Sequence, residues 1–247
     1  MPQPETSSVL DGAEARGGPA PRPRLGVVTI GQSPRSDLIP DLRPLLPGID
    51  IVQSGALDRL SAEEITALAP RPGEEVLTSR LRDGSSAVMG RESVIPLVQR
   101  AIEEIDTEVE TILLACTGEF PPFRSRVPVL EPEKLLTHLL AAVVPPSSRI
   151  GIICPLEEQR DSTRIKYSAA LPDSVSWCSA VATPYSDDLS PLTLAAEQLA
   201  REGADYIVMD CIGYTTTMAA MVRQISGRTV LLARSTAARI AAELLAD

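Results

Sequence analysis

The chain has 247 residues, enough for one large domain or for two of roughly 100 residues each. Its net charge of −10 comes from 33 acidic residues against 23 scattered basic ones, and phosphate binding needs clustered Lys and Arg, so we expect no nucleic-acid partner. Aromatic residues make up only 3% of the chain, too few for base-stacking platforms. Hydrophobic residues make up 44% of the chain, enough to form hydrophobic cores. No apolar run approaches the roughly 20 residues of a membrane span.

The N-terminal region and the cysteine usage indicate the compartment. Residues 1–23 are rich in Pro and Gly and lack the charged start and apolar stretch of a signal peptide, so we predict a disordered tail. The four cysteines are widely spaced and form no CxxC pair, unlike those of a disulfide-rich secreted module. There is no GxGxxG or Walker pattern, and one histidine, His138, cannot form a His-rich metal site. We therefore expect a cytoplasmic protein without cofactor or metal.

The order of predicted elements is that of an α/β protein. In chain order the first part predicts a strand at 25–30, a helix from about 36, a strand at 49–57, a short helix with a capping box at 61–64, two strands within 74–91 around a turn at 82–84, a helix at 91–105, and strands at 109–115 and 127–130. The second part predicts helices at 133–144, 189–202, 215–226 and 235–245, and strands at 149–153, 177–182, 206–210 and 229–233. Alternating strands and helices imply parallel sheets.

The two parts share a repeated pattern. The segment Arg24-Leu-Gly-Val-Val28 aligns residue by residue with Arg149-Ile-Gly-Ile-Ile153, and each part has an apolar strand that ends in Cys-X-Gly. The match is loose, because about 90 residues separate the opening strand from the cysteine in the first part and about 60 in the second. We predict two pseudo-symmetric α/β domains, at 24–132 and 133–247, each a parallel sheet flanked by helices, with a cleft between them. The C-terminal helix, 235–247, could also join the first domain.

The cysteines that end these strands, Cys116 and Cys211, are the predicted catalytic residues. Ligands of parallel sheets bind beyond the carboxyl ends of the strands, which is where both cysteines fall. A glycine turn followed by a helix would favour a thiolate there, best at Cys211. A free cysteine is usually a small buried hydrophobe, but two in corresponding places favour chemistry. Cys154 also ends a strand, and because Pro155 follows we interpret it as structural, with a contribution to the site left open.

Loops at the same edge supply candidates for substrate binding. Arg35 could hold a carboxylate through a bidentate pair, or could be a surface residue near a helix start. Thr117 and the neighbouring amides could bind a carboxylate oxygen, Glu119 could line the cleft or be solvated, and Tyr185 could bring a hydroxyl to this edge. The predicted set is Gln32, Ser33, Arg35, Thr117, Gly118, Glu119, Tyr185, Ile212, Gly213, Tyr214 and Thr215.

Four segments carry a family resemblance. They are Thr29-Ile-Gly-Gln-Ser-Pro-Arg35, Leu81-Arg-Asp-Gly84, Cys116-Thr-Gly118 and Met209-Asp-Cys-Ile-Gly-Tyr214. On these segments the chain, from about residue 24 to its C terminus, resembles the AroM family. AroM-like proteins in turn resemble the aspartate/glutamate racemase superfamily, which includes hydantoin racemases, maleate isomerases and arylmalonate decarboxylases.

The resemblance implies a pseudo-symmetric pair of α/β domains, no cofactor, and cysteines at two strand ends that match Cys116 and Cys211. The chain departs from the racemases in the first loop, where they usually carry an acidic residue and this chain has Gln32-Ser33. It departs again after the second cysteine, where Ile212-Gly213 stands in place of a Thr-His or similar pair.

Two opposed thiols suit proton transfer next to a carboxylate or carbonyl, because one thiolate removes a proton while the other thiol protonates the opposite face. The sequence thus predicts a cofactor-independent racemase or epimerase that acts on a small carboxylate or a hydantoin-like substrate, with a small anionic molecule as its partner. One alternative is a cysteine-dependent isomerase or decarboxylase of the same superfamily. Another is a non-catalytic small-molecule-binding protein, and a homo-oligomer stays open in each case.

Overall fold

Residues 22–246 form two four-stranded parallel sheets and one β-hairpin. A computed structural model describes residues 22–246, so most of the predicted N-terminal tail, 1–21, lies outside the described residues. The strands are β1 Arg24–Thr29, β2 Asp50–Gly55, β3 Val76–Arg80, β4 Ser86–Gly90, β5 Thr111–Ala115, β6 Val129–Leu130, β7 Arg149–Cys154, β8 Ser176–Val181, β9 Tyr206–Met209 and β10 Thr229–Leu232. The α-helices are α1 Ile39–Leu42, α2 Ala62–Thr66, α3 Arg91–Ile105, α4 Pro132–Val143, α5 Arg160–Ser168, α6 Ser190–Arg201, α7 Thr216–Ser226 and α8 Ala233–Leu245. None of these helices is long and apolar enough to cross a membrane.

The two parallel sheets have the same topology. Their strand orders are β2-β1-β5-β6 and β8-β7-β9-β10, so that β1 corresponds to β7 and β5 to β9. Every neighbouring pair in both sheets is parallel. The predicted fold class, two similar α/β units with parallel sheets flanked by helices, is confirmed.

Strand register relates the two cysteines. In the first sheet Leu25 pairs with Thr111, and in the second Ile150 pairs with Tyr206. When the opening strands are aligned on their Arg-apolar-Gly pattern, counting along β5 and β9 from these pairs brings Cys116 and Cys211 to the same position. The register therefore supports the correspondence that the Cys-X-Gly motifs suggested.

The glycines of the opening strands explain part of the repeat. A Cβ on Gly26 would lie 2.8 Å from Ile105 Cδ1, at the end of α3. A Cβ on Gly151 would lie 3.1 Å from a Leu199 methyl, in α6, and from the Cβ of Ala204. Since α3 and α6 are the helices that precede the two cysteine strands, each half needs a glycine where this helix crosses its first strand.

An insertion accounts for the unequal spacing of the two halves. Between β2 and α3 the first half contains α2 and the antiparallel β3–β4 hairpin, whereas in the second half β8 leads to α6 through a loop. Ser61 and Glu64 form the predicted capping box of α2. The hairpin also reaches the carboxyl edge of the first sheet, where a Cβ on Gly118 would come within 2.7 Å of Leu77 Cδ2.

One apolar cluster joins the two halves. It includes Val27 and Leu113 of the first sheet and Ile152 and Val208 of the second, together with buried residues of the last helix, α8. The small side chains of α8 in this cluster are Ala233, Ala237, Ala238 and Ala241. The C-terminal helix thus packs on both sheets.

Two helices differ from prediction. The helix expected from about 36 is only one turn, α1, followed by a 3₁₀ turn at Arg43–Leu45, because Pro44 lacks the backbone N–H that would continue the α-helix. Helix α5 was not predicted, since it is strongly polar and only Thr163, Lys166 and Tyr167 are buried in it.

Candidate functional site

Both predicted catalytic cysteines line one cavity between the two sheets. Cys116 directly follows β5, and Cys211 follows β9 after Asp210, so each lies beyond the carboxyl end of a central strand. They are 7% and 6% exposed. The cavity measures about 30 Å³, room for one or two water molecules, and the hairpin strand β3 forms part of its wall.

The two thiols have matching backbone partners. The amide N–H of Gly118 donates to Cys116 Sγ over 3.3 Å, and that of Gly213 donates to Cys211 Sγ over 3.4 Å. The Cys-X-Gly motif therefore forms the same tight turn twice, with the second following amide directed at the sulfur.

Burial opposes the thiolates that the strand-end positions were expected to favour. Burial raises the pKa of Cys116 to about 12, and the Gly118 amide offsets only part of this. Burial also raises the pKa of Cys211, although the Gly213 amide opposes it. A negative charge on Cys211 raises the pKa of Cys116, so the two sulfurs are close enough to interact electrostatically. In addition, α7 begins soon after Cys211, but the residues that follow Cys116 form no helix before α4.

Cys211 has two polar neighbours. The hydroxyl of Tyr185 lies 3.6 Å from Cys211 Sγ, and burial raises the pKa of this phenol well above its usual value, so it stays neutral and can donate to a thiolate at Cys211. The positive charge of Arg35 opposes the burial effect on the pKa of Cys211. Both groups favour negative charge on this sulfur.

The guanidinium group of Arg35 is hydrogen-bonded to other residues of the protein. Its Nε and Nη2 donate to the two carboxylate oxygens of Asp37, each over 2.8 Å, and its Nη1 donates to Thr29 Oγ1 over 2.9 Å. Burial lowers the pKa of Arg35, but the hydrogen bonds and charge of Asp37, together with negative charge at Tyr185 and Cys211, outweigh this and raise it overall. The bidentate pair that was predicted for a substrate carboxylate is thus made by Asp37, and Arg35, 2% exposed, is not a surface residue.

A buried ion pair connects the loops of the two cysteines. Lys166 Nζ donates to the Thr117 carbonyl and to Asp210 Oδ2, each over 2.8 Å. The Tyr167 hydroxyl donates to Asp210 Oδ1 over 2.7 Å, and Thr117 Oγ1 donates to the Asp210 carbonyl over 3.2 Å. Because Thr117 follows Cys116 and Asp210 precedes Cys211, this network fixes one cysteine loop relative to the other.

The remaining predicted residues divide between the cavity and the surrounding loops. Gly118, Glu119 and Ile212 line the cavity. Tyr214 is fully buried and donates to the Ala182 carbonyl, while Thr215 caps helix α7 through the Met218 amide. These last two side chains hold the fold together around the site.

Gln32 and Ser33 do not line the cysteine cavity. The Gln32 amide bonds the Leu57 carbonyl and the Arg82 amide N–H, and Ser33 donates to Asp58 from both its N–H and its hydroxyl. Their side chains therefore tie the first loop to the neighbouring loops.

Cys154 is fully buried and does not line the cavity. Its Sγ lies 3.5 Å from the Leu156 carbonyl, and burial raises its pKa to about 12. By register it occupies the position of Thr29 in the first half. The geometry agrees with a structural role.

Sequence reasoning missed several residues of the site. Lys166, Asp210 and Arg234 form its buried ionic groups, and Glu75 and Gln159 line its wall. Asp210 was visible beside Cys211, but Lys166 belongs to the unpredicted helix α5. Arg234, with no exposed surface, donates to the carbonyls of Ile212 and Gly213 and pairs with Asp41, and no motif marked it.

A comparison with family models decides the relationship. The model described as AroM protein matches residues 25–245. The chain belongs to the AroM family. No curated protein matches this AroM chain.

Solved structures share the fold of this AroM chain at low identity. Unliganded arylmalonate decarboxylase is 14% identical with a TM-score of 0.55, covering 91% of this chain and 93% of that one. A glutamate racemase from Bacillus anthracis is 14% identical with a TM-score of 0.56, covering 90% and 81%. A cysteine-to-serine mutant of Nocardia farcinica maleate cis-trans isomerase, with a covalently bound succinylcysteine intermediate, is 17% identical with a TM-score of 0.54, covering 90% and 92%. These likenesses establish the fold.

Proposed function

We propose that this AroM protein is a cofactor-independent racemase or epimerase that uses Cys116 and Cys211 for α-proton transfer on a small carboxylate or a hydantoin-like substrate. The observation that carries the proposal is that two cysteines in corresponding strand-end positions line a single cavity. The structural neighbours include a glutamate racemase, which supports an enzyme of this class.

The reaction requires one thiolate and one thiol. The thiolate takes the proton from the substrate's α-carbon, and the C–H electron pair becomes a planar carbanion delocalised into the adjacent carbonyl. The S–H of the opposed cysteine then delivers its proton to the other face and becomes the thiolate. The product is the mirror-image centre, and the protonation states of the two cysteines are exchanged.

The narrow cavity must widen before this chemistry. A space of about 30 Å³ cannot hold an amino acid or a hydantoin. The hairpin closes the site through Leu77, which packs at Gly118, and through the Gln159 amide, which donates to the Val76 carbonyl over 2.8 Å. Opening exposes the sulfurs to water and removes the burial that raises their pKa, so one thiol can ionise before the substrate binds.

The test is proton exchange at the α-carbon in deuterated water, followed by NMR and chiral chromatography for each enantiomer of a carboxylate and hydantoin panel. The wild-type chain should exchange and invert at least one substrate. Cys116→Ser and Cys211→Ser should each lose inversion by about 10²- to 10⁴-fold, while keeping slow exchange of one enantiomer, because one face retains its cysteine.

Cys178→Ser is the matched control, since this cysteine lies in β8 and does not line the cavity. Retention of every α-proton across the panel, or equal loss of activity in the Cys178 variant, would contradict the proposal. Release of carbon dioxide or conversion of a double bond without α-proton exchange would point to a decarboxylase or an isomerase instead. Ligand binding unchanged by both cysteine substitutions, without turnover, would indicate a binding protein.

A further inference from the structure

The charges around the cavity restrict its substrate. Among the described residues that line it, Lys166 is the single cation, and Glu75, Glu119 and Asp210 are acidic. Lys166 is already paired with Asp210 over 2.8 Å. A substrate carboxylate that enters this space meets no unpaired cation in its lining.

The cations just outside the lining are also paired. Arg35 is held by Asp37, and Arg91 Nε lies 3.4 Å from Glu75 Oε2 while its Nη1 pairs with Glu92 over 2.7 Å. Burial raises the pKa of Glu75, and although Arg91 opposes this, the charge of Glu119 adds to it. The hairpin side of the cavity is therefore the side where a second negative charge would be repelled.

The same wall contains a buried acceptor. The Nε2 of Gln159 donates to the Val76 carbonyl, and since a carbonyl can only accept, this bond fixes which end of the amide is the oxygen. That oxygen, Oε1, is buried and has no hydrogen-bond partner among residues 22–246. Buried acceptors are normally satisfied, so a group that donates a hydrogen bond fits at this wall.

We propose that the cleft selects a substrate that presents N–H donors and no second negative charge to the wall formed by Glu75 and Gln159, and that it discriminates against dicarboxylates. This inference rests on the proposed function. The ring N–H groups of a cyclic amide and the ammonium group of an α-amino acid with an uncharged side chain both supply this chemistry. Aspartate and glutamate have the ammonium group but add a second carboxylate, and malonates have two carboxylates and no N–H group.

The first experiment compares three substrate classes with the wild-type chain. The α-proton exchange rate is measured for 5-substituted hydantoins, for neutral α-amino acids and for dicarboxylates. The kcat/KM of one N–H-donating class should exceed that of every dicarboxylate by at least about tenfold, the effect of one hydrogen bond to a charged group. Dicarboxylate exchange at an equal or higher kcat/KM overturns the inference, and the first two classes distinguish the two sources of the N–H group.

The second experiment removes the charge of the wall. Glu75→Gln should raise KM for the N–H donor by about tenfold and lower it for dicarboxylates. Glu158→Gln is the control, because this exposed carboxylate neighbours Gln159 in sequence but does not line the cavity. Equal selectivity in the two variants overturns the inference.

A binding measurement separates this inference from the proposed function. The double variant Cys116→Ser, Cys211→Ser is titrated by calorimetry with hydantoin, glycine and succinate. Preference for hydantoin or glycine supports the inference even if the wild-type chain exchanges no α-proton, in which case only the proposed function fails. Preference for succinate, or no binding of hydantoin or glycine, overturns it.

Discussion

Replacement of Lys166 by Met tests whether the buried ion pair supports the site. The side chains of Lys166 and Asp210 are 6% and 4% exposed. Without the ammonium group, the Asp210 carboxylate keeps the Tyr167 hydroxyl as its side-chain donor, and the Thr117 carbonyl loses its bond to Nζ. Because an uncompensated buried charge is left behind, we expect the free energy of unfolding to fall by about 3–5 kcal/mol.

Urea unfolding measures this loss, and two further variants establish its cause. Lys166→Met combined with Asp210→Asn removes the stranded charge and should recover about 1–3 kcal/mol relative to the single variant. Arg201→Met breaks an exposed pair with Glu197 and should cost less than about 1 kcal/mol. A Lys166→Met loss below about 1 kcal/mol, or a double variant no more stable than the single one, would refute the reasoning.

Three further predictions concern the surroundings of the cysteines. Gly213→Ala places a Cβ 2.7 Å from Tyr185 Cε1, so it should displace the phenol. The activation free energy calculated from kcat in the exchange assay should rise by more than the free energy of unfolding falls. Arg234→Met leaves two buried carbonyls and a carboxylate without their cation and should cost about 3–5 kcal/mol in urea unfolding. Burial raises the pKa of Cys116 from 9.0 to about 12, so the folded state binds the thiol proton more tightly than the unfolded state does. The protonated thiol therefore makes its full contribution to the free energy of unfolding below pH 9.0, and this contribution declines as the pH rises towards 12. Cys116→Ser should make urea unfolding less steeply dependent on pH across that window, and an unchanged pH dependence would contradict the assignment.

The features predicted best from sequence are those set by local pattern. Apolar runs of five or six residues identified the central strands, because strands buried on both faces must be continuously apolar. The positions of Cys116 and Cys211 followed from these strands, since a residue after a parallel strand necessarily reaches its carboxyl edge. The repeat of Arg-apolar-Gly was also readable, and the packing of α3 and α6 gives its physical reason.

Pairings between distant segments were not predictable in this way. Lys166 and Asp210 are 44 residues apart, and the bond between them depends on where helix α5 packs. That helix escaped notice because it is short and strongly polar, and the residues that it buries are Thr163, Lys166 and Tyr167 rather than a row of aliphatic side chains. The pairing of Arg35 with Asp37 did have a local signal, because the two residues are only two positions apart. Whether the guanidinium group binds a substrate or a neighbouring carboxylate depends on burial, which this spacing does not determine.

The backbone of the site is nearly symmetric, but its side chains are not, and this difference has a kinetic consequence. The hydroxyl of Tyr185 and the charge of Arg35 both favour a thiolate at Cys211. The first-half sulfur has the Gly118 amide as its hydrogen-bond donor within the described residues, and the nearby charge of Lys166 is opposed by that of Asp210. Negative charge is thus better stabilised on Cys211, and the two directions of racemisation begin from different protonation states. Enantiomers have equal free energies, so kcat/KM must be the same in both directions. The asymmetry can therefore appear only as matched differences in kcat and in KM between the enantiomers, and replacing Tyr185 with Phe should reduce these differences without changing the ratio of the two kcat/KM values from one.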